Sequence, residues 1–145
     1  MESDSAMLLQ EVLTQARAAA GTGDEPVGAL ASRDGVVVAT GRARVRARND
    51  SIAHAVMECI RAAGRRTDYP QLTLVTNTSP CLMCAGTILQ FGFARVVIGE
   101  DRQRGAGAEL LRARGIDLTV LDDPECLELG KLGSEHIFRL GALDY

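Results

Sequence analysis

Leu72-Thr73-Leu74-Val75-Thr76, followed after a short polar turn by Pro80-Cys81-Leu82-Met83-Cys84 and an apolar run to Phe91, decides the architecture of this chain. The first segment is short, rich in apolar and β-branched residues, and bounded by polar ones, which predicts a buried strand. Pro80 pre-sets the backbone angle at which a helix can start, so the spacing predicts a helix over Cys81 to Phe91 with both cysteines in its first turn. A strand feeding a helix in this way is the unit of a layered α/β fold.

Upstream, Met7, Leu8, Val12, Leu13 and Ala16 recur with helical spacing and stop before Gly21-Thr22-Gly23-Asp24. Val27 to Ala31, the turn Arg33-Asp34-Gly35 and Val36 to Arg42 read as a β-hairpin with Asp-Gly at its tip. An Arg-rich connection then reaches Asp50-Ser51, an N-cap signal for a helix over Ile52 to Gly64 that places His54 in its first turn. Downstream, Arg95 to Gly99 and Asp117 to Leu121 read as strands. Helices are expected from about Gly107 to Arg114 and from Pro124 onward. The alternation predicts one mixed sheet between helix layers, and residues 1–145 read as a single domain.

Composition agrees with that reading. The chain has 145 residues, 46% of them apolar, only 3% aromatic and none Trp, so its core must be packed from Ala, Val, Leu and Ile. A net charge of −3 speaks against general attraction to nucleic acid or anionic membrane and points to a small-molecule ligand. Met1 to Ala20 carries Glu2, Asp4 and Glu11 and lacks the basic and continuous apolar regions of a signal peptide. No stretch approaches the roughly 20 apolar residues of a membrane span. A cytoplasmic protein is the expectation, and four cysteines in such a chain suggest metal or redox chemistry before disulfides.

Cys81 and Cys84 lie three apart on one helical turn, where a helix N-terminus favours thiolates. With His54 they supply one imidazole and two sulfurs, which suits zinc and leaves a fourth tetrahedral position open, the pattern of a catalytic site. The competing reading of Cys-x-x-Cys is a thioredoxin-like pair. Cys59 and Cys126 stand at apolar helix positions and are expected in the core.

Ile52-Ala53-His54-Ala55 and Thr78-Ser79-Pro80-Cys81-Leu82-Met83-Cys84-Ala85-Gly86 together resemble the His-x-Glu and Pro-Cys-x-x-Cys signature of the zinc-dependent cytidine/deoxycytidylate deaminase superfamily. Pro26-Val27-Gly28-Ala29, Ala62-Ala63-Gly64-Arg65, Arg95 to Glu100 and Leu121 to Cys126 resemble the small free-base cytosine deaminases. The resemblance covers roughly residues 6 to 130. It implies a cytidine-deaminase-like three-layer α/β/α sandwich around a five-stranded mixed sheet, a zinc ion, a homodimer, and a nucleobase-like substrate such as cytosine, isocytosine or guanine. It further implies that zinc activates water, that a glutamate two residues after the histidine shuttles protons, and that ammonia leaves. Backbone amides around Ala55 would orient the base, while Phe138 and Asp144 would close over it, and Arg104 falls near a pocket position that relatives fill with an aromatic.

Two positions break the pattern. Val56 stands where the proton-shuttling glutamate is expected, and Ala43 where relatives carry a base-binding asparagine. Either the chain is a deaminase with both polar anchors replaced, or it has changed substrate or chemistry. Two forms of the latter are a silent zinc-stabilised module that binds a base or dimerises, and a zinc Lewis-acid enzyme. Glu58, four residues after His54, is a candidate substitute proton carrier, or else an ion-pair partner of Arg61 or Arg65. Arg42, Arg44, Arg46 and Arg48 alternate with small apolar residues, which predicts four guanidinium groups on one face of an extended segment. That face suits an acidic substrate or RNA, as in the related tRNA adenosine deaminases, or is a solvated strand edge.

Overall fold

The computed structural model describes residues 2–102 and 106–140, with side chains over 5–102 and 106–132. Helix α1 (Glu2–Gly21) leads into strands β1 (Gly28–Arg33) and β2 (Val36–Arg42). A short helix α2 (Val45–Arg48) precedes α3 (Ala55–Ala63). β3 (Thr73–Thr76), α4 (Leu82–Phe91), β4 (Arg95–Ile98), α5 (Ala106–Ala113), β5 (Asp117–Val120) and α6 (Pro124–Leu140) then alternate. One five-stranded sheet runs in the order β2-β1-β3-β4-β5. β1 pairs antiparallel with both β2 and β3, and β3, β4 and β5 are parallel.

The two faces of the sheet divide the core. Leu30, Val75 and Val97 pack with Leu8, Leu9, Val12 and Leu13 of α1 and with Cys126 of α6. Their sequence neighbours, Ala29, Ala31, Leu74, Val96 and Ile98, turn the other way and pack with α3, α4 and α5. This period of two, buried on both sides, is why the strands read as short apolar runs and why the fold has three layers. At the hairpin tip Asp34 and Gly35 both take positive φ, 51° and 79°, as an Asp-Gly turn of this hand requires. Gly41 lets α3 lie directly on β2, since a Cβ there would sit 2.3 Å from the Cys59 amide nitrogen.

The segment after β2 differs from the extended strand expected of it. The Asp24 carboxylate accepts hydrogen bonds from the backbone N–H groups of Arg46 and Ala47, at 2.7 and 3.2 Å, and so satisfies the start of helix α2 from 22 residues away. The Arg46 side chain turns back to the Gly23 carbonyl at 2.9 Å, leaving the other arginines of the segment. The next helix also starts later than expected. Asp50 accepts from Ile52 N–H at 2.9 Å, an Asx turn rather than a helix cap, and α3 begins only at Ala55 with His54 as its N-cap residue. Among the described residues no helix is long and apolar enough to cross a membrane.

Candidate metal centre

Two helix starts and two loop-anchoring side chains bring the expected ligands together. His54 caps α3 in an extended conformation without using its side chain as the cap, which leaves the imidazole for other contacts. Cys81 caps α4 in the same conformation, and its sulfur accepts from the Cys84 N–H at 3.5 Å. Asn77 locks the loop between them to the hairpin: its carboxamide oxygen accepts from Gly28 N–H at 2.8 Å and its nitrogen donates to the Pro26 carbonyl at 2.9 Å. Thr78 donates to buried Glu100 at 2.6 Å, which ties the same loop to the end of β4. The site therefore sits beyond the carboxyl end of β3, where the starts of α3 and α4 converge.

The His54 Nδ1 atom lies 3.4 Å from the Cys81 sulfur and 3.5 Å from the Cys84 sulfur, and all three side chains are buried. Tetrahedral zinc with ordinary Zn–S and Zn–N bonds separates such a nitrogen and sulfur by about 3.6 Å. The donor atoms are therefore already at ligand spacing, and among the described residues they form a group able to hold a metal ion. Hydrogen bonding from Cys84, followed by His54, lowers the Cys81 thiol to about 4, while the same interaction with Cys81 and burial push Cys84 upward. The helix N-terminus at Cys81 acts in the same direction, favouring a thiolate there. Cys59 and Cys126 are buried in the core, as expected, and burial raises Cys59 to about 12.

Val56 is 3% exposed and lines a cavity with His54, Ala55, Ser79 and Cys84. The cavity measures about 10 Å³, room for about one water molecule. Ala43 is fully buried in the same apolar cluster as Val56 but does not line the cavity; its N–H donates to the carbonyl of Val27, which does. Glu58 is not brought to the cysteines. Its N–H donates to the His54 carbonyl at 2.9 Å, one helical turn away, but its carboxylate is held by Arg48 at 2.8 Å in a separate pocket. The side chain of Phe138, and all of Asp144 and Arg104, lie outside the described residues. One buried polar group went unremarked in the sequence: the Ser79 hydroxyl, which faces the cavity with no hydrogen-bond partner among the described residues. Its position directly before Pro80 was the available signal.

Residues 1–100 match the family described as the cytidine and deoxycytidylate deaminase zinc-binding region. The chain belongs to that family. The family is zinc-binding and its deaminases are zinc-dependent hydrolases; in this chain His54, Cys81 and Cys84 are a group that could hold the ion. The chain is 35% identical over 132 residues to a cytosine deaminase of Candida albicans, covering 89% of this chain and 88% of that protein. It is 41% identical over 110 residues to the chloroplastic tRNA(adenine(34)) deaminase of Arabidopsis thaliana, covering 73% of this chain but only 8% of that protein. The solved guanine deaminase of Nitrosomonas europaea superposes with a TM-score of 0.74 at 24% identity, over 88% of this chain and 83% of that one, and shares the fold.

Proposed function

We propose that this family member is built as a hydrolytic deaminase of a free nucleobase or a related small heterocyclic amine, cytosine-, isocytosine- or guanine-like, and that it is disabled at position 56. The observation that carries this is Val56 itself: an isopropyl group lines the cavity beside a complete ligand set, where family chemistry calls for a carboxylate. His54, Cys81 and Cys84 hold the metal. When bound, zinc supplies the Lewis acid that activates water for attack on the amino-bearing carbon. The chain's own residues must then move protons, and Val56 has no atom that can accept or deliver one. Loss of a general acid/base costs about 10² to 10⁴ in rate.

The polar contacts left to a base are those of Ser79 and of the backbone at Ala55, the first residue of α3, whose N–H points with the helix dipole. Ala43 offers no carboxamide. Phe138 and Asp144 enter the proposal as the aromatic and carboxylate that close the pocket, in a cytoplasmic homodimer. Exposed Leu82, Met83 and Phe91 on α4 support self-association.

A free base is favoured over tRNA because the likeness to the cytosine deaminase runs through nearly all of that protein, and because the chain is acidic overall. One observation favours a second reading, a silent base-binding or dimerisation module: the cavity is too small for a heterocyclic ring unless the site opens. Ammonia release from amino-pyrimidines, amino-purines, creatinine and triazines separates the two, run on this chain and on its Val56→Glu and Ala43→Asn/Val56→Glu forms with zinc content confirmed. Turnover only in the glutamate forms supports the disabled deaminase; silence in every form supports the module.

A further inference from the structure

Arg42 from β2, Arg44 and Arg48 from around α2, and Arg61 from α3 surround a second cavity, of about 250 Å³, that shares no lining residue with the zinc cavity. Arg46 is drawn off to the Gly23 carbonyl, and Arg42, Arg44, Arg48 and Arg61 line the cavity together with Thr40 and Glu58. Four positive charges meet one carboxylate, a local excess of three in a chain whose net charge is −3. Arg42 and Arg44 have no ion pair or hydrogen bond from their guanidinium groups among the described residues. Like charges held this close repel one another unless an anion lies among them.

Glu58 sharpens the chemistry. Its carboxylate is 8% exposed; Oε2 accepts from Arg48 at 2.8 Å, while Oε1 is buried without a hydrogen bond and stands 3.9 Å from the Arg61 Nε. Glu58 is thus occupied with Arg48 and Arg61, and the cavity offers the unengaged guanidinium forks of Arg42 and Arg44, which match phosphate oxygens two at a time. Its volume lies below the roughly 300 to 1,000 Å³ of drug-sized pockets. We infer that this cavity is a binding site for a small phosphate, free or as a monoester, held by Arg42 and Arg44.

The test uses the full zinc-loaded chain and calorimetric titration with ribose 5-phosphate, orthophosphate and ribose, and needs no deaminase activity. Ribose 5-phosphate should bind saturably, ribose should not, and added salt should weaken binding. Arg42→Gln/Arg44→Gln, both outside the core, should weaken it about a hundredfold, and Arg42→Lys, which keeps the charge but not the fork, by about tenfold. Tighter binding of ribose 5-phosphate than of orthophosphate supports the monoester; equal affinity supports free phosphate at the same arginines. No saturable binding of either phosphate overturns the inference. So does binding unchanged in folded Arg42→Gln/Arg44→Gln and Arg42→Lys chains, or binding of a single-stranded oligoribonucleotide alone.

Discussion

Substituting Gly107 by alanine tests how α5 holds the metal loop in place. A Cβ at this position would stand 1.8 Å from the Pro80 carbonyl oxygen, 2.7 Å from its carbon and 3.0 Å from the Cys81 carbonyl oxygen. Ordinary contact begins at 3.4 Å, so the backbone of Pro80 and Cys81 must retreat by about 1.6 Å or α5 must withdraw by as much. Over-packing of this kind costs typically about 1 to 3 kcal/mol, against which the better helix propensity of alanine returns up to about 1 kcal/mol. The net expectation, with that gain in full, is a loss of about 0 to 2 kcal/mol. The group pushed is the N-cap of α4, whose sulfur sits 3.4 Å from His54 Nδ1, and metal–ligand distances tolerate only about 0.2 Å. Zinc affinity should therefore fall at least tenfold. Urea unfolding at saturating zinc reads the stability, and competition against a chromophoric chelator reads the affinity. A variant that is more stable than the parent and binds zinc equally well would refute this account of the α5–α4 contact.

Three further outcomes follow from the same structure. Removing zinc with a chelator should lower stability by about 4 kcal/mol relative to a thousandfold excess over Kd, and should open Cys81 and Cys84, but not Cys59 or Cys126, to alkylation; mass mapping of labelled cysteines checks this. Burial raises Cys59 from 9.0 to about 12, so its contribution is complete below pH 9 and is lost as pH rises toward 12. Stability should fall by about 1.4 kcal/mol per pH unit over that window, and Cys59→Ala should flatten the slope in alkaline urea titrations. Gly41→Ala should destabilise by about 1 to 3 kcal/mol or more, because its Cβ meets the α3 backbone at Cys59 and Ala55; a thermal melt unchanged from the parent would contradict the close β2–α3 packing.

The layers, the hairpin and the ligand triad were legible because each is written in local pattern: period-two apolar strands, Asp34-Gly35 at a tight turn, and Pro80-Cys81 at a helix start. The region from Arg42 to His54 was not. Its alternating arginines mimic a strand, but the Asp24 carboxylate, remote in sequence, caps it as helix α2. Asp50-Ser51 carries a cap signal that Asp50 spends on an Asx turn, while His54 takes the N-cap position with its ring turned to the cysteines. Glu58 does follow His54 by one helical turn, with its N–H on the His54 carbonyl, but its carboxylate turns to Arg48, a partner that the spacing within α3 does not reveal.

In the proposed function the metal ligands are present, Ala43 lacks the base-binding carboxamide, and the missing proton carrier at position 56 is the main block to turnover. The most direct measurement is the ratio of ammonia-release rates between the zinc-loaded Val56→Glu chain and the chain with Val56, on whichever ring either form turns over. The account predicts a ratio of at least about a hundred. A ratio near one, with both chains folded and fully loaded with zinc, would contradict it.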